Sequence, residues 1–176
     1  MATMKKQAKA TAVKKGTFYE CGWCGKEGTN APNYAITMKV VCGRAVEEGK
    51  KYFCSDKCQH IHCVENNRRE VIKGIDFANK GLDLVKNVVA EHIEVGTKIT
   101  PCILQMAKLL NIFKKVLTFV ISGDKPSARK LYDEKKEIVT DYTEDVLADK
   151  LFGDMYMFFI NRFAELDGVI NNDVSV

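Results

Sequence analysis

The residues best equipped to do chemistry form two cysteine pairs. They are Cys21-Gly-Trp-Cys24 and Cys54-Ser-Asp-Lys-Cys58, with 29 residues between Cys24 and Cys54. A C-x2-C turn lets both thiolates face one ion, and Gly22 and Gly25 ease the tight backbone. At the second pair the extended run Lys51-Tyr52-Phe53 should hand over to a helix near Ser55. Residues four apart share a helix face, so a ligand at the strand's end and one a helical turn later point the same way. Four thiolates suit a tetrahedral Zn²⁺ with no position left open for a substrate, which is a structural site. The rival reading is two chance cysteine pairs in a core, and the turn and helix signals beside both pairs favour the metal.

The chain has seven cysteines in 176 residues, an odd number that cannot all pair as disulfides within one chain. Met1 to Lys15 is basic without an apolar run, so no secretory leader is expected. Metal-binding cysteines in a reducing compartment follow, whether cytoplasmic, nuclear or inside a virion. Cys42, His60, His62 and Cys63 are further candidate ligands, and a second metal site built from them competes with ordinary packing. His62 lies four residues after Cys58 and could share its helix face, whereas Cys63 points well off that stripe. Cys102 sits in an apolar run and reads as a buried thiol.

Other chemistry is sparse. His92-Ile-Glu94 reads as a surface ion pair. There is no Gly-rich phosphate loop, no H-E-x-x-H and no nucleophile elbow, so an enzyme is not expected and no small-molecule substrate is evident. The Met155–Phe163 stripe of Phe and Met reads as bundle core.

Cys21-Gly-Trp-Cys24-Gly25-Lys26, a gap of about thirty residues, and Tyr52-Phe53-Cys54-Ser55-Asp56-Lys57-Cys58 together resemble the TRASH/MYM/FCS group of treble-clef zinc fingers. The signature of that group is C-x2-C followed by F-C-S-x-x-C. A small zinc-binding protein of the archaeal and eukaryotic large ribosomal subunit is similar in the same respects. The resemblance covers roughly residues 19–65. It implies a zinc knuckle on a β-hairpin, then a short helix carrying the second pair, with Cys21, Cys24, Cys54 and Cys58 as ligands. It does not imply one function, because members bind RNA, DNA, metals as sensors, or other proteins.

The elements that must position these groups follow from pattern. The expected fold class is α+β: a small treble-clef-like zinc module of short β-hairpins plus a helix, then a mostly α-helical bundle. Residues 1–16 read as a basic flexible arm, 17–73 as the zinc-binding module and 74–176 as the helical bundle. Short β-like runs are expected at Thr17–Tyr19, Tyr34–Val41 and Lys51–Phe53. A helix over Ile75–Val95 should show a stripe of Leu82, Val85, Val89 and Ile93 with Val88 beside it, and should stop at Gly96. Thr100-Pro101 should start the next helix, with Thr as cap and Pro at the first helical position, and Gly123 should stop it. Lys108, Lys114 and Lys115 interrupt that apolar stretch, so it reads as a central bundle helix and no membrane span is expected. A third helix should run over Pro126–Val139, and a fourth from Thr143 to about Asp167-Gly168.

The net charge of +4 is unevenly spread: residues 1–20 carry +4, residues 21–73 carry +3 and residues 74–176 carry −3. A basic arm followed by a basic module suits a polyanion. The expected contacts to RNA or DNA are Lys5, Lys6, Lys9, Lys14 and Lys15 in the arm, then Lys50, Lys51, Arg68 and Arg69. The leading expectation is a non-enzymatic zinc-binding protein that contacts nucleic acid or forms part of a larger assembly. The alternatives are a protein–protein adaptor whose helical domain docks a partner, and a metal sensor or chaperone.

Overall fold

The computed structural model describes residues 16–41, 44–140, 153–172 and 174, with side chains for all of these except 37–41, 44–46 and 138–140. The expected arm lysines Lys5, Lys6, Lys9, Lys14 and Lys15, and the candidate ligand Cys42, lie outside the described residues. The chain divides into two compact units, Met1–His62 and Cys63–Val176. The small β-hairpins come first and the helices follow, which is the expected α+β class.

In the first unit, β1 (Phe18–Glu20) pairs antiparallel with β2 (Glu27–Thr29), and β3 (Asn33–Val41) pairs antiparallel with β4 (Arg44–Phe53). β2 and the first half of β4 were not among the expected strands. Glu27-Gly-Thr29 and Arg44–Lys50 are rich in charge and glycine and show no apolar alternation, so their extended form comes from pairing with β1 and β3. The β3–β4 register places Asn33 opposite Phe53, Tyr34 opposite Tyr52 and Ile36 opposite Lys50, and a bulge follows at Thr37/Met38. Successive strand residues point to opposite faces. Asn33, Ala35 and Phe53 therefore share one face, and Tyr34, Ile36, Lys50 and Tyr52 share the other.

α1 spans Asp56–Val95, a single 40-residue helix in place of the expected short helix and a second one after it. Its first seven residues belong to the first unit and the rest to the second. Gly74 does not break the helix, because its bare backbone has a packing use that offsets its poor helix propensity. The side chains of Leu117 and Leu110 lie over Gly74 and Gly81, where an added Cβ would sit 2.6 and 2.9 Å from a leucine methyl.

The second unit holds the apolar core. α1 contributes Val71, Ala78 and Val85, which are seven residues apart. Of the expected stripe, Val85 is buried and Leu82 and Val89, with Val88 beside them, pack partly buried against the same core, while Ile93 is exposed. α2 (Pro101–Ile121) is the central helix, burying Cys102, Met106, Leu110, Phe113, Leu117 and others along one broad face. Pro101 occupies the first helical position as expected. Thr100 stands at the N-cap with extended backbone but makes no side-chain cap hydrogen bond. Both expected stops are present. Gly96 and Gly123 have φ of 70° and 82°. The bonds Thr97 N–H to His92 O (2.8 Å) and Asp124 N–H to Phe119 O (2.9 Å) close Schellman turns.

α3 (Lys125–Thr140) begins at Asp124, whose carboxylate accepts the Ser127 N–H at 3.1 Å. Thr143, Glu144 and Asp145, the expected start of the fourth helix, lie outside the described residues. The described part is α4 (Gly153–Ala164), a break at Glu165, and α5 (Leu166–Asn171). The helical course passes Gly168 because Leu166 and Ile170 are both buried and hold one further turn against the core. Phe159 and Phe163 are core, as the stripe implied; Tyr156 and Ile160, outside that stripe, are core as well, while Phe158 stays half exposed. Among the described residues, no helix is long and apolar enough to cross a membrane.

Candidate metal centre

The first pair sits between β1 and β2. Cys21 N–H donates to Lys26 O at 2.9 Å, and Gly25 N–H donates to Cys21 O at 3.0 Å. Gly25 has φ of 71°, the left-handed region that favours glycine and turns the chain back after Cys24. Gly22 N–H donates to Tyr52 O at 2.8 Å, which fixes the knuckle beside the end of β4. The second pair sits where β4 becomes α1. Ser55 is the N-cap of α1: its hydroxyl accepts the Cys58 N–H at 3.2 Å and its carbonyl accepts the Gln59 N–H at 3.2 Å. The serine after Cys54 thus orients Cys58. Two further bonds hold the helix start to β3, Asn33 to the Asp56 carboxylate and Gln59 Nε2 to Tyr34 O at 3.1 Å. Phe53 is fully buried beneath this corner, with its ring centroid 5.1 Å from that of His62.

These elements bring the Sγ atoms of Cys21, Cys24, Cys54 and Cys58 within 4.8 Å of one another. Cys24 and Cys58 each lie 3.6 Å from Cys54, sulfur to sulfur. A tetrahedral metal with bonds of about 2.3 Å to sulfur has sulfur–sulfur edges of about 3.8 Å. The four cysteines therefore fit one ion, and the set is compatible with a zinc-finger-like module.

The electrostatics agree with a site built for a cation. Burial alone would push the Cys21 thiol up, but the N–H groups of Cys24, Cys54 and Trp23 outweigh it and bring Cys21 down to about 6. The Cys54 N–H to Cys21 Sγ distance is 3.5 Å. Cys54 is pushed up to about 12, first by its hydrogen bond with Cys58, then by that with Cys24. Cys21 is thus ready to carry charge, while Cys54, hydrogen-bonded by its neighbouring thiols, holds its proton more tightly.

The remaining candidates separate from this cluster. His60 and Cys63 are exposed, and the His62 ring lies against Phe53. Among the described residues, no other group of three or more His, Cys, Asp or Glu side chains shares a metal-sized space. Cys102 is a fully buried core thiol. Lys50 and Lys51 are exposed on β4, and Arg68 and Arg69 are exposed on α1, well before its end. Two features were not read from the sequence: the capping role of Ser55 and the solvent-facing pair Tyr34 and Tyr52. The F-C-S spacing signals the first; the second is set by the β3–β4 register.

No protein-family model, no curated protein and no solved structure matches the chain. The reading as a zinc-finger-like module therefore rests on the cysteine spacing and on the four-sulfur geometry.

Proposed function

We propose that this chain is a non-enzymatic zinc-binding protein whose first unit contacts nucleic acid within a larger assembly. The observation that carries the metal reading is the four-sulfur cluster at tetrahedral spacing. Cys21, Cys24, Cys54 and Cys58 would hold the ion. Bound there, zinc would supply cross-linking of the knuckle, the strand end and the helix start, with no coordination position left for substrate. The first unit needs such a clamp. Among its described side chains only Cys21 and Phe53 are fully buried, and small modules with so little core draw folding free energy from a metal.

The nucleic-acid reading is supported by charge. Met1–His62 carries eleven Lys and Arg against five Asp and Glu, a net +6, while Cys63–Val176 carries sixteen against eighteen, a net −2. A polyanion suits the first unit and not the second. The test is a titration of the zinc-loaded chain into labelled RNA and DNA over a series of salt concentrations. Affinity should fall linearly on a log–log plot against salt; no binding at low salt would refute the reading.

A second reading, a partner docked on the helical unit, is favoured by one feature. A groove of about 510 Å³ opens in that unit, floored by Phe77, Phe113, Leu117 and Phe158 and rimmed by Lys73 and Arg162. Both rim cations are already paired, with Glu70 at 2.7 Å and Glu165 at 2.8 Å.

A further inference from the structure

The two faces of the β3–β4 hairpin differ in what covers them. On the inner face Phe53 is fully buried and Asn33 is bonded to Asp56 of α1. An atom added at Gly22 would touch Lys51 and Phe53, so the knuckle lies over this face too. The outer face carries Tyr34, Ile36, Lys50 and Tyr52, which are exposed; Tyr34 is 51% accessible, Ile36 47% and Tyr52 36%. These four stand directly opposite one another in two cross-strand pairs, Tyr34 with Tyr52 and Ile36 with Lys50. The tyrosine ring centroids are 6.4 Å apart, and the Lys50 ammonium sits 5.0 Å from the centre of the Tyr34 ring.

A sheet face that leaves two aromatic rings and a branched aliphatic in water points to a binding surface. Its chemistry combines π-faces with a cation placed beside one of them. Unpaired bases stack on tyrosine faces, and the phosphates linking them are met by lysine. A duplex hides its base faces and would use only the lysine. Of the net charge of +6 on Met1–His62, the five lysines of residues 1–15 supply +5, so they would add phosphate contacts around the one that Lys50 makes on the hairpin itself.

From this we infer that the outer face of the β3–β4 hairpin is a stacking platform for single-stranded nucleic acid. Tyr34 and Tyr52 take unstacked bases, Ile36 extends the apolar floor, and Lys50 meets the intervening phosphate. The inference rests on the nucleic-acid reading and adds which strands are bound, and where. Binding is tolerant of sequence, since every base has a π-face, and it favours unpaired over paired strands.

The test uses the full zinc-loaded chain and fluorescein-labelled 16-nucleotide homopolymers of RNA and DNA, with a duplex of equal length, read by anisotropy. The variants are the Tyr34→Ala/Tyr52→Ala pair, the Tyr34→Phe/Tyr52→Phe pair and Lys50→Ala, each checked for zinc content and helical signal. The Ala pair should lose about tenfold or more for single strands and little for duplex, and the Phe pair should bind like the parent. Lys50→Ala should lower the salt slope for single strands by about 0.7. The RNA and DNA arms show which sugar the platform prefers. If the parent binds single strands and the Ala pair binds them equally well, the platform is refuted while the nucleic-acid reading stands, and the face is left to a protein partner. A parent that binds duplex and single strand alike, with the Ala pair unaffected, refutes it in the same way. A parent that binds no strand at low salt removes both readings.

Discussion

Ser55→Ala is a one-atom change outside the ligand set, and it should weaken the metal site by a calculable amount. The Ser55 hydroxyl accepts the N–H of Cys58 at 3.2 Å, at the third position of α1. Losing an N-cap of this kind costs about 1 kcal/mol, in a range of about 0.5–2. The capped residue is itself a ligand, so the cost falls on the state in which Cys58 is held for the ion. One kcal/mol is about fivefold in an equilibrium constant, so the zinc dissociation constant should rise about fivefold, within about two- to thirty-fold. Cys58→Ser, which removes a ligand outright, should cost far more. The assay is competition for zinc against a chromophoric chelator at fixed pH, comparing the parent, Ser55→Ala, Ser55→Thr and Cys58→Ser. Threonine keeps the capping oxygen and should restore most of the affinity. Two results would refute the reasoning: an unchanged dissociation constant in Ser55→Ala, or Ser55→Thr as weak as Ser55→Ala.

Three further expectations follow from the geometry. Gly74→Ala gains about 1 kcal/mol of helix propensity but places a Cβ 2.6 Å from a methyl of the buried Leu117, and overpacking costs about 1–3 kcal/mol. Urea unfolding should show a net loss, smaller in a Leu117→Ala background; a gain of about 1 kcal/mol would mean that Leu117 does not cover this position. Zinc binding at pH 7 should release fewer than four protons, because Cys21, at about 6, has already lost its own while Cys54, pushed up to about 12, still holds one. Calorimetry in buffers of different ionisation enthalpy counts them, and a count of four contradicts the assignment. The Asp124 carboxyl is held below its ordinary range, first by the Ser127 hydroxyl and then by the Ser127 N–H. Its folded value is depressed, so its contribution is full above the unfolded value and is lost as pH falls through the folded one. The acid limb of a thermal-melting series should therefore flatten in Asp124→Asn, and an unchanged limb would count against the cap.

What could be read from the sequence divides by how local its cause is. The four cysteines were legible because their spacing sets ligand geometry within one turn or one helical step. The stops at Gly96 and Gly123 were legible because a left-handed residue is a local requirement. The unbroken course of α1 was not, since Gly74 reads as a boundary until Leu117 is seen to occupy the space above it. The core stripe of α1 was legible too: Val85 is buried, Leu82, Val88 and Val89 pack against the core, and only Ile93, near the helix end, is left in water. β2 was missed because pairing with β1, and not its own composition, makes it extended. The Tyr34–Tyr52 pair depends on register, which the sequence does not state without knowing where the hairpin turns.

The central claim is that Cys21, Cys24, Cys54 and Cys58 form one closed metal site. The most direct measurement is elemental analysis of the purified full-length chain beside its Cys24→Ser/Cys58→Ser variant. The account predicts one zinc per chain in the parent and none in the variant. Zinc retained in the variant, or a parent that is folded in its first unit with no zinc and freely titratable thiols, would contradict it.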